Sequence, residues 1–319
     1  MKDAFGRTID YLRLAVTDRC NLRCVYCMPE EDDSGLPLHQ LSLEAIERIL
    51  RTMASLGIKK VKITGGEPLI HPDIVRIVSL AKSFPPIHNV TLTTNGLLLK
   101  KLARPLAEAG LDAVNISLDT LAADRFRSLT RRDLLPQVLA GLDEILQAGS
   151  LAVKVNCVPT AQSPPEDLTA LAALARSRDL HVRFIELMPI GLGRTQEGLD
   201  PERLKDLITR AFGPLEPCRR QFGNGPAVYY SLPGFAGRIG FISAVNSCFC
   251  EHCNRVRVTS DGVLKTCLHM DKGLKLPLDD EAAMAEAVRR AVFRKPASHR
   301  FASGEDGQAE DRIMSRIGG

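Results

Sequence analysis

The sequence predicts an α/β protein: six βα units in series, curved into a partial barrel, followed by a smaller domain after residue 213. Three observations predict it. Apolar strand-like runs alternate with runs of helical period from about residue 10 to residue 187. Five of the strand-like runs repeat a polar face opposite an apolar one. At Gly213-Pro214 the alternation breaks into a stretch rich in Gly, Pro, Phe and Tyr.

In chain order, the patterns predict strands near 10–17, 59–64, 88–93, 112–118, 151–158 and 181–187. Helices fall between them, near 42–56, 71–83, 98–109, 135–148 and 165–178, and one more near 201–212 closes this half. The helix after Ser42 shows the logic. Ser42 suits an N-cap, Leu43, Ile46, Leu50, Met53 and Leu56 recur at helical spacing, and Gly57 ends the run.

The strand faces choose between an open sheet and a barrel. Leu12, Leu14 and Val16 oppose Arg13 and Thr17, and Val61 and Ile63 oppose Lys62 and Thr64. Leu92 opposes Thr91 and Thr93, and Val114, Ile116 and Leu118 oppose Asn115, Ser117 and Asp119. Val153 and Val155 oppose Lys154 and Asn156. A parallel sheet covered on both faces reads as nearly continuous apolar residues. Five polar faces in a row instead describe the inner wall of a ligand cavity. Buried charge is costly without a partner. With few lumen acids such as Asp119 available, Arg13, Lys62, Lys154 and Arg183 point to an anionic ligand.

Composition narrows the function classes. The 319 residues are 45% hydrophobic and 25% charged, within the range of a globular protein. A net charge of +4 is too mild to argue for nucleic acid. No apolar run is long enough for a bilayer and no leader-like segment opens the chain, so a cytoplasmic location without a membrane is expected. Seven of the nine cysteines are clustered, which fits metal binding better than a disulfide framework.

The first cluster is Cys20, Cys24 and Cys27, spaced C-x3-C-x2-C after the first strand. A closed zinc site wants four ligands, whereas three thiolates on a cubane iron–sulfur cluster leave one iron open for chemistry. The second is Cys250 and Cys253, with Cys267 returning after a hairpin centred on Asp261-Gly262. Spacing alone leaves structural zinc and iron–sulfur both open there, with Cys248, His252 or His269 available as a fourth ligand. Arg255 and Arg257 share one face of that hairpin and suit a polyanion. Gly65-Gly66-Glu67-Pro68, Thr94-Asn95-Gly96, and Ser117 with Asp119 end successive strands, where barrel enzymes place ligands.

These residues carry a resemblance. C-x3-C-x2-C with Tyr26 before the third cysteine resembles the radical S-adenosylmethionine superfamily, and Gly65-Gly66-Glu67-Pro68 resembles its methionine-binding glycine motif. The second cysteine group with Arg255 and Arg257, and the terminal Gly318-Gly319, narrow the resemblance to the GTP 3′,8-cyclases of molybdenum cofactor biosynthesis. The resemblance implies a partial (βα)6 TIM-like barrel as radical SAM core, residues 1–213, and a C-terminal α+β domain, residues 214–319. It implies two [4Fe-4S] clusters, on Cys20/Cys24/Cys27 and on Cys250/Cys253/Cys267. S-adenosylmethionine would chelate the open iron of the first and yield a 5′-deoxyadenosyl radical that takes the C3′ hydrogen of GTP. The C3′ radical would then attack C8 of guanine.

By the same resemblance, Tyr26, Gly66, Glu67, Ser117 and Met188 are cofactor-binding. Arg13, Lys62, Thr93, Lys154, Arg255 and Arg257 bind GTP. Arg183, Gly318 and Gly319 belong to the catalytic site, the tail entering where only glycine would fit. Lys62 stands where the family commonly has arginine, and Cys248 is an extra thiol beside the second group. Implied partners are an electron donor of flavodoxin or ferredoxin type and a downstream cyclic pyranopterin monophosphate synthase; monomer and homodimer both remain open. Two other readings compete: a different two-cluster radical enzyme acting on a peptide, and a zinc-stabilised nucleotide-binding protein. A peptide would not need four convergent cations, and a zinc protein would explain neither the strand-end motifs nor a three-ligand first site.

Overall fold

The computed structural model describes residues 1–30, 37–149, 151–220, 222–246, 249–270, 272–299 and 312–318. Six parallel strands form its centre: β1 (Tyr11–Ala15), β2 (Lys60–Thr64), β3 (Asn89–Thr94), β4 (Ala113–Ser117), β5 (Ala152–Cys157) and β6 (Leu180–Ile185). Helices connect them: α1 (Leu43–Ser55), α2 (Ile74–Ser83), α3 (Leu99–Glu108), α4 (Ala123–Thr130), α5 (Leu135–Gln147) and α6 (Pro165–Ser177), with α7 (Pro201–Phe212) following β6. The Ser42 hydroxyl caps α1 by accepting from Ala45 N at 3.2 Å. The short α4 is not among the sequence-predicted elements: only Phe126 and Thr130 are buried on it, so it leaves almost no apolar period to read.

The stretch after residue 213 adds its strands to this same sheet. It contributes β7 (Glu216–Pro217), β8 (Val228–Ser231), β9 (Arg238–Ile242), β10 (Arg255–Val258), β11 (Val263–Lys265) and β12 (Leu274–Lys275), then α8 (Glu281–Phe293) and the short α9 (Met314–Ile317). The strand order is β12-β11-β10-β1-β2-β3-β4-β5-β6-β9-β8-β7. Thus β10 pairs in parallel with β1, and β9 in parallel with β6, so the later strands extend both flanks of the six-stranded core. The sheet is mixed, and among the described residues β7 and β12 do not meet to close it.

The two faces divide as the alternation predicts. Leu12, Leu14, Val61, Ile63, Val90, Leu92, Val114, Ile116, Val153 and Val155 are buried in one continuous core with α1, α2, α3, α5 and α6. Their polar neighbours along each strand line a cavity of about 620 Å³ on the other face. The register sets like charges side by side. Arg13 lies opposite Arg257 on one neighbouring strand and opposite Lys62 on the other. Directly opposed like charges destabilise a sheet, so this row is there for something other than the fold. Among the described residues no helix is long and apolar enough to cross a membrane.

Candidate active site

The first cysteine loop leaves the carboxyl end of β1 and is pressed into place by the turn after β2. Gly66 N donates to Thr17 O at 2.8 Å and Glu67 N to Arg19 O at 2.7 Å. A Cβ on Gly65 would lie 2.2 Å from Thr17 O, and one on Gly66 2.2 Å from Arg19 O. The glycine pair therefore permits a close backbone approach to the segment entering Cys20, while both glycines also reach the cavity wall. Glu67 does not line the cavity. Its buried carboxylate accepts from Leu69 N (2.9 Å) and Thr94 Oγ1 (2.7 Å) on one oxygen and from Asn95 N (2.6 Å) on the other. Burial pushes this carboxyl up to about 7 against those three donors.

Cys20, Cys24 and Cys27 all face the cavity. Cys20 Sγ accepts from Leu22 N at 3.4 Å, and Asn95 Nδ2 stands 3.9 Å from it. The Tyr26 hydroxyl donates to Asp119 Oδ2 at 2.6 Å, tying the loop to the end of β4. Burial pushes the thiols of Cys20 and Cys27 up to about 11 and about 12. It raises Cys24 well above the usual thiol range, with Cys27, Asp119 and Cys20 adding to the effect. Three thiols that disfavour each other's ionisation are a donor set that wants a cation among them. Soft, reduced and crowded, they fit an iron–sulfur cluster. Among the described residues no three His, Cys, Asp or Glu side chains stand close enough together to hold a single metal ion.

Cys250, Cys253 and Cys267 line the opposite part of the same cavity. The hairpin between them forms from β10 and β11, with Gly262 N donating to Thr259 O across the turn. Burial raises Cys253, but Lys295 and Arg255 beside it outweigh that and hold the thiol below its usual value. Lys295 has no local signal in the sequence. It is nearly buried, and its Nζ bridges Arg255 O (3.1 Å) and Thr266 O, joining β10 to the segment that enters Cys267. The Arg255 guanidinium sits 4.5 Å above the Phe249 ring. Cys248 lies outside the described residues, as does Gly319.

Eight lysine and arginine side chains reach the cavity wall: Arg220, Lys295 and the six sequence-predicted cations Arg13, Lys62, Lys154, Arg183, Arg255 and Arg257. Arg183 Nε donates to Asn156 Oδ1 at 2.8 Å. Burial pushes Lys62 well below the usual lysine range, and Arg183, Arg13, Lys154 and Arg255 push it further. Burial, then Arg183, lowers Lys154 to about 8. Arg13 comes down to about 10 by burial and its arginine neighbours, and Arg257 falls for the same reasons. Three carboxylates also reach the wall, but each is engaged elsewhere. Asp112 binds Lys82 and Val90 N, Asp119 binds Tyr26 and Val158 N, and Glu186 binds Val245 N and Asn246. Among the described residues no carboxylate pairs with Lys62, Lys154, Arg183, Arg255 or Arg257.

Thr93, Ser117 and Met188 line the cavity at the ends of β3, β4 and β6, with Thr93 Oγ1 3.5 Å from Asn115 Nδ2. The tail returns to the first strands. Gly318 O accepts from Arg257 Nη1 at 2.7 Å and lies 3.5 Å from Arg13 Nη2 and from Thr64 Oγ1. Its left-handed backbone (φ +74°) and the lack of room for a Cβ beside Ala15 and Thr64 both call for glycine. Farther along the lumen, His181 and Phe222 reach the wall and pack edge-to-face with each other and with Tyr229, a cluster that sequence patterns did not single out.

Comparison with known proteins bears on the fold and the family. Residues 14–175 match the radical SAM superfamily model, and residues 180–301 match the model for molybdenum cofactor synthesis C. The chain is 41% identical to the GTP 3′,8-cyclase of Clostridium perfringens (strain SM101 / Type A), with both chains fully covered. It is 43% identical to that of Pelotomaculum thermopropionicum and 44% identical to that of Moorella thermoacetica, again over the full length of both. Among solved structures, Streptococcus suis SuiB bound to precursor peptide SuiA superposes with a TM-score of 0.68 at 15% identity, over 96% of this chain and 76% of that one. Native anSMEcpe with bound AdoMet superposes with a TM-score of 0.64 at 15% identity, over 94% and 92%. These two show a shared fold. The full-length identities show more: the chain belongs to the GTP 3′,8-cyclase family of the radical SAM superfamily.

Proposed function

We propose that this chain converts GTP to (8S)-3′,8-cyclo-7,8-dihydroguanosine 5′-triphosphate, the first step of molybdenum cofactor biosynthesis. The single observation that carries the reading is the cationic cavity between two three-cysteine groups, in which Lys62, Lys154, Arg183, Arg255 and Arg257 have no carboxylate partner among the described residues. A polyanion is the ligand such a cavity is built to hold. Membership of the superfamily brings one [4Fe-4S] cluster and S-adenosylmethionine. Cys20, Cys24 and Cys27 would hold that cluster, and when bound it supplies, with S-adenosylmethionine, the 5′-deoxyadenosyl radical that takes hydrogen from ribose C3′. Cys250, Cys253 and Cys267 would hold a second cluster against the guanine base.

The chain's own residues then have distinct tasks. Tyr26, Gly66, Ser117 and Met188 contact S-adenosylmethionine, and Glu67 holds the turn that carries Gly66. Arg13, Lys62, Thr93, Lys154, Arg255 and Arg257 bind GTP, and Arg183 adds charge from β6. Gly318 and Gly319 bring the tail beside the reacting ribose. Residues 1–213 thus carry the cofactor site and most of the GTP-binding cations, and residues 214–319 add the second cysteine group, Arg255 and Arg257, and the tail. The wall excludes water from a radical that would otherwise react with it. A flavodoxin or ferredoxin supplies the electron, and a cyclic pyranopterin monophosphate synthase consumes the product.

The test is anaerobic turnover of reconstituted protein with GTP and S-adenosylmethionine, the product identified by mass spectrometry. The cyclised triphosphate together with 5′-deoxyadenosine is expected. Zinc in place of iron and sulfide would sink the reading. Cys24→Ala is expected to abolish 5′-deoxyadenosine release while leaving the fold intact by circular dichroism.

A further inference from the structure

Arg131 ends α4 with φ +58° and ψ +23°, and among the described residues it is the one non-glycine with a positive φ. An L-residue takes this conformation at a cost, and glycine or asparagine normally holds such a helix end. An arginine kept there needs a reason in what its side chain touches. Its Nη1 donates to Arg23 O at 3.2 Å and to Met28 O at 3.3 Å. Those two carbonyls bracket Cys24 and Cys27. Nε stands 3.6 Å from Glu30 Oε2.

The helix end itself grips the same loop. Arg23 N donates to Thr130 O at 3.1 Å and Val25 N to Leu129 O at 2.9 Å. The last carbonyls of a helix have no intrahelical partner, and here they accept from the cysteine loop. Thr130 Oγ1 braces the turn by donating to Phe126 O and Arg132 O. Residues 23–28 are therefore held at two amides by the end of α4 and at two carbonyls by the side chain that follows it. A right-handed residue at 131 would prolong the helix past the point where the chain turns.

We propose that Arg131 is a positioning residue for the first cysteine loop, and that its left-handed backbone is retained because it delivers the guanidinium to the Arg23 and Met28 carbonyls. The inference rests on the family reading of Cys20, Cys24 and Cys27 as ligands of one cluster. Two variants separate the clamp from simple capping. Arg131→Gly relieves the backbone and deletes the side chain, and Arg131→Asn tolerates the same backbone without the reach.

The experiment compares both with wild type in two measurements: amide hydrogen exchange over residues 21–28 in the cluster-free protein, and the loss of visible cluster absorbance under an iron chelator in the reconstituted protein. Both variants are expected to keep or raise the melting temperature while exchanging several-fold faster across 21–28 and losing the cluster several-fold faster. Wild-type exchange and wild-type cluster loss in both variants would overturn the proposal. If the wild-type protein takes up no cluster, the reading of the cysteines fails, and the exchange measurement alone then decides the clamp.

Discussion

Lys154 and Gly318 show how single residues set the site. Lys154 is nearly buried beside Arg183, and burial with that neighbour brings it down to about 8. In the free protein the ammonium is charged below that pH and neutral above it, while a triphosphate favours the charged form. KM for GTP should therefore be flat to about pH 7.5 and climb above pH 8. Lys154→Met should raise KM roughly ten-fold at pH 7, the scale of one charge-assisted hydrogen bond, and reduce the break near pH 8. At Gly318 a Cβ would stand 2.9 Å from both Ala15 Cβ and Thr64 Oγ1, on a backbone that already disfavours alanine. Gly318→Ala should cut GTP turnover by about ten-fold or more, with a change in melting temperature of only a few degrees, because it displaces the tail and not the core. The alternation of strand residues told that Lys154 faces the lumen. It could not tell that Gly318 packs against Ala15 and Thr64, since so short a terminal segment carries no period that records the groove it enters.

Among the elements, the ends of β2 and β3 are joined through Glu67. Replacing it by alanine would orphan the buried N–H of Leu69 and hydroxyl of Thr94 and the partly buried N–H of Asn95, a loss of roughly 3 kcal/mol. The native carboxyl keeps its proton to about pH 7, against the 4.5 of an ordinary glutamate, so the native state binds more protons than the unfolded chain between those values. Its contribution is full below pH 4.5 and declines as pH rises through 7. The stability gap between wild type and Glu67→Ala, read from urea midpoints, should thus be widest at pH 4.5 and below and narrow toward pH 8; a gap that widens with pH would refute this account. The sequence marked Gly65-Gly66-Glu67-Pro68 and Thr94-Asn95-Gly96 as separate strand ends, because their link is a side chain bridging residues 27 apart. Local patterns did reach most elements. On α8, which is not among the predicted helices, Met284, Ala287, Val288 and Val292 still recur at helical spacing behind the Asp280 cap, so its signal was present.

For the whole molecule, pairing at the flanks of the barrel decides where charge accumulates. β10 joins β1 across 244 residues of chain, a pairing that nothing local to either segment announces. It sets Arg257 beside Arg13, which already stands beside Lys62. The ligand-free protein thus holds a row of three cations on adjacent strands, with no carboxylate on Lys62 or Arg257 among the described residues. Lys62 is buried and its ammonium is pushed well below the ordinary range, so the native state gives up that proton earlier than the unfolded chain does. Stability from this group therefore rises as pH climbs toward 10.5. Replacing a buried, unpaired charge by an apolar side chain of similar length removes both the desolvation and the repulsion, a gain of about 1–2 kcal/mol. Lys62→Met should accordingly raise the melting temperature of the ligand-free protein near neutral pH and flatten its rise with pH. In wild type, GTP should raise the melting temperature by neutralising the row, and in Lys62→Met that gain should shrink as affinity falls. A ligand-free Lys62→Met that melts below wild type would mean that the ammonium is already satisfied, and that the row of cations is a structural feature and not a triphosphate site.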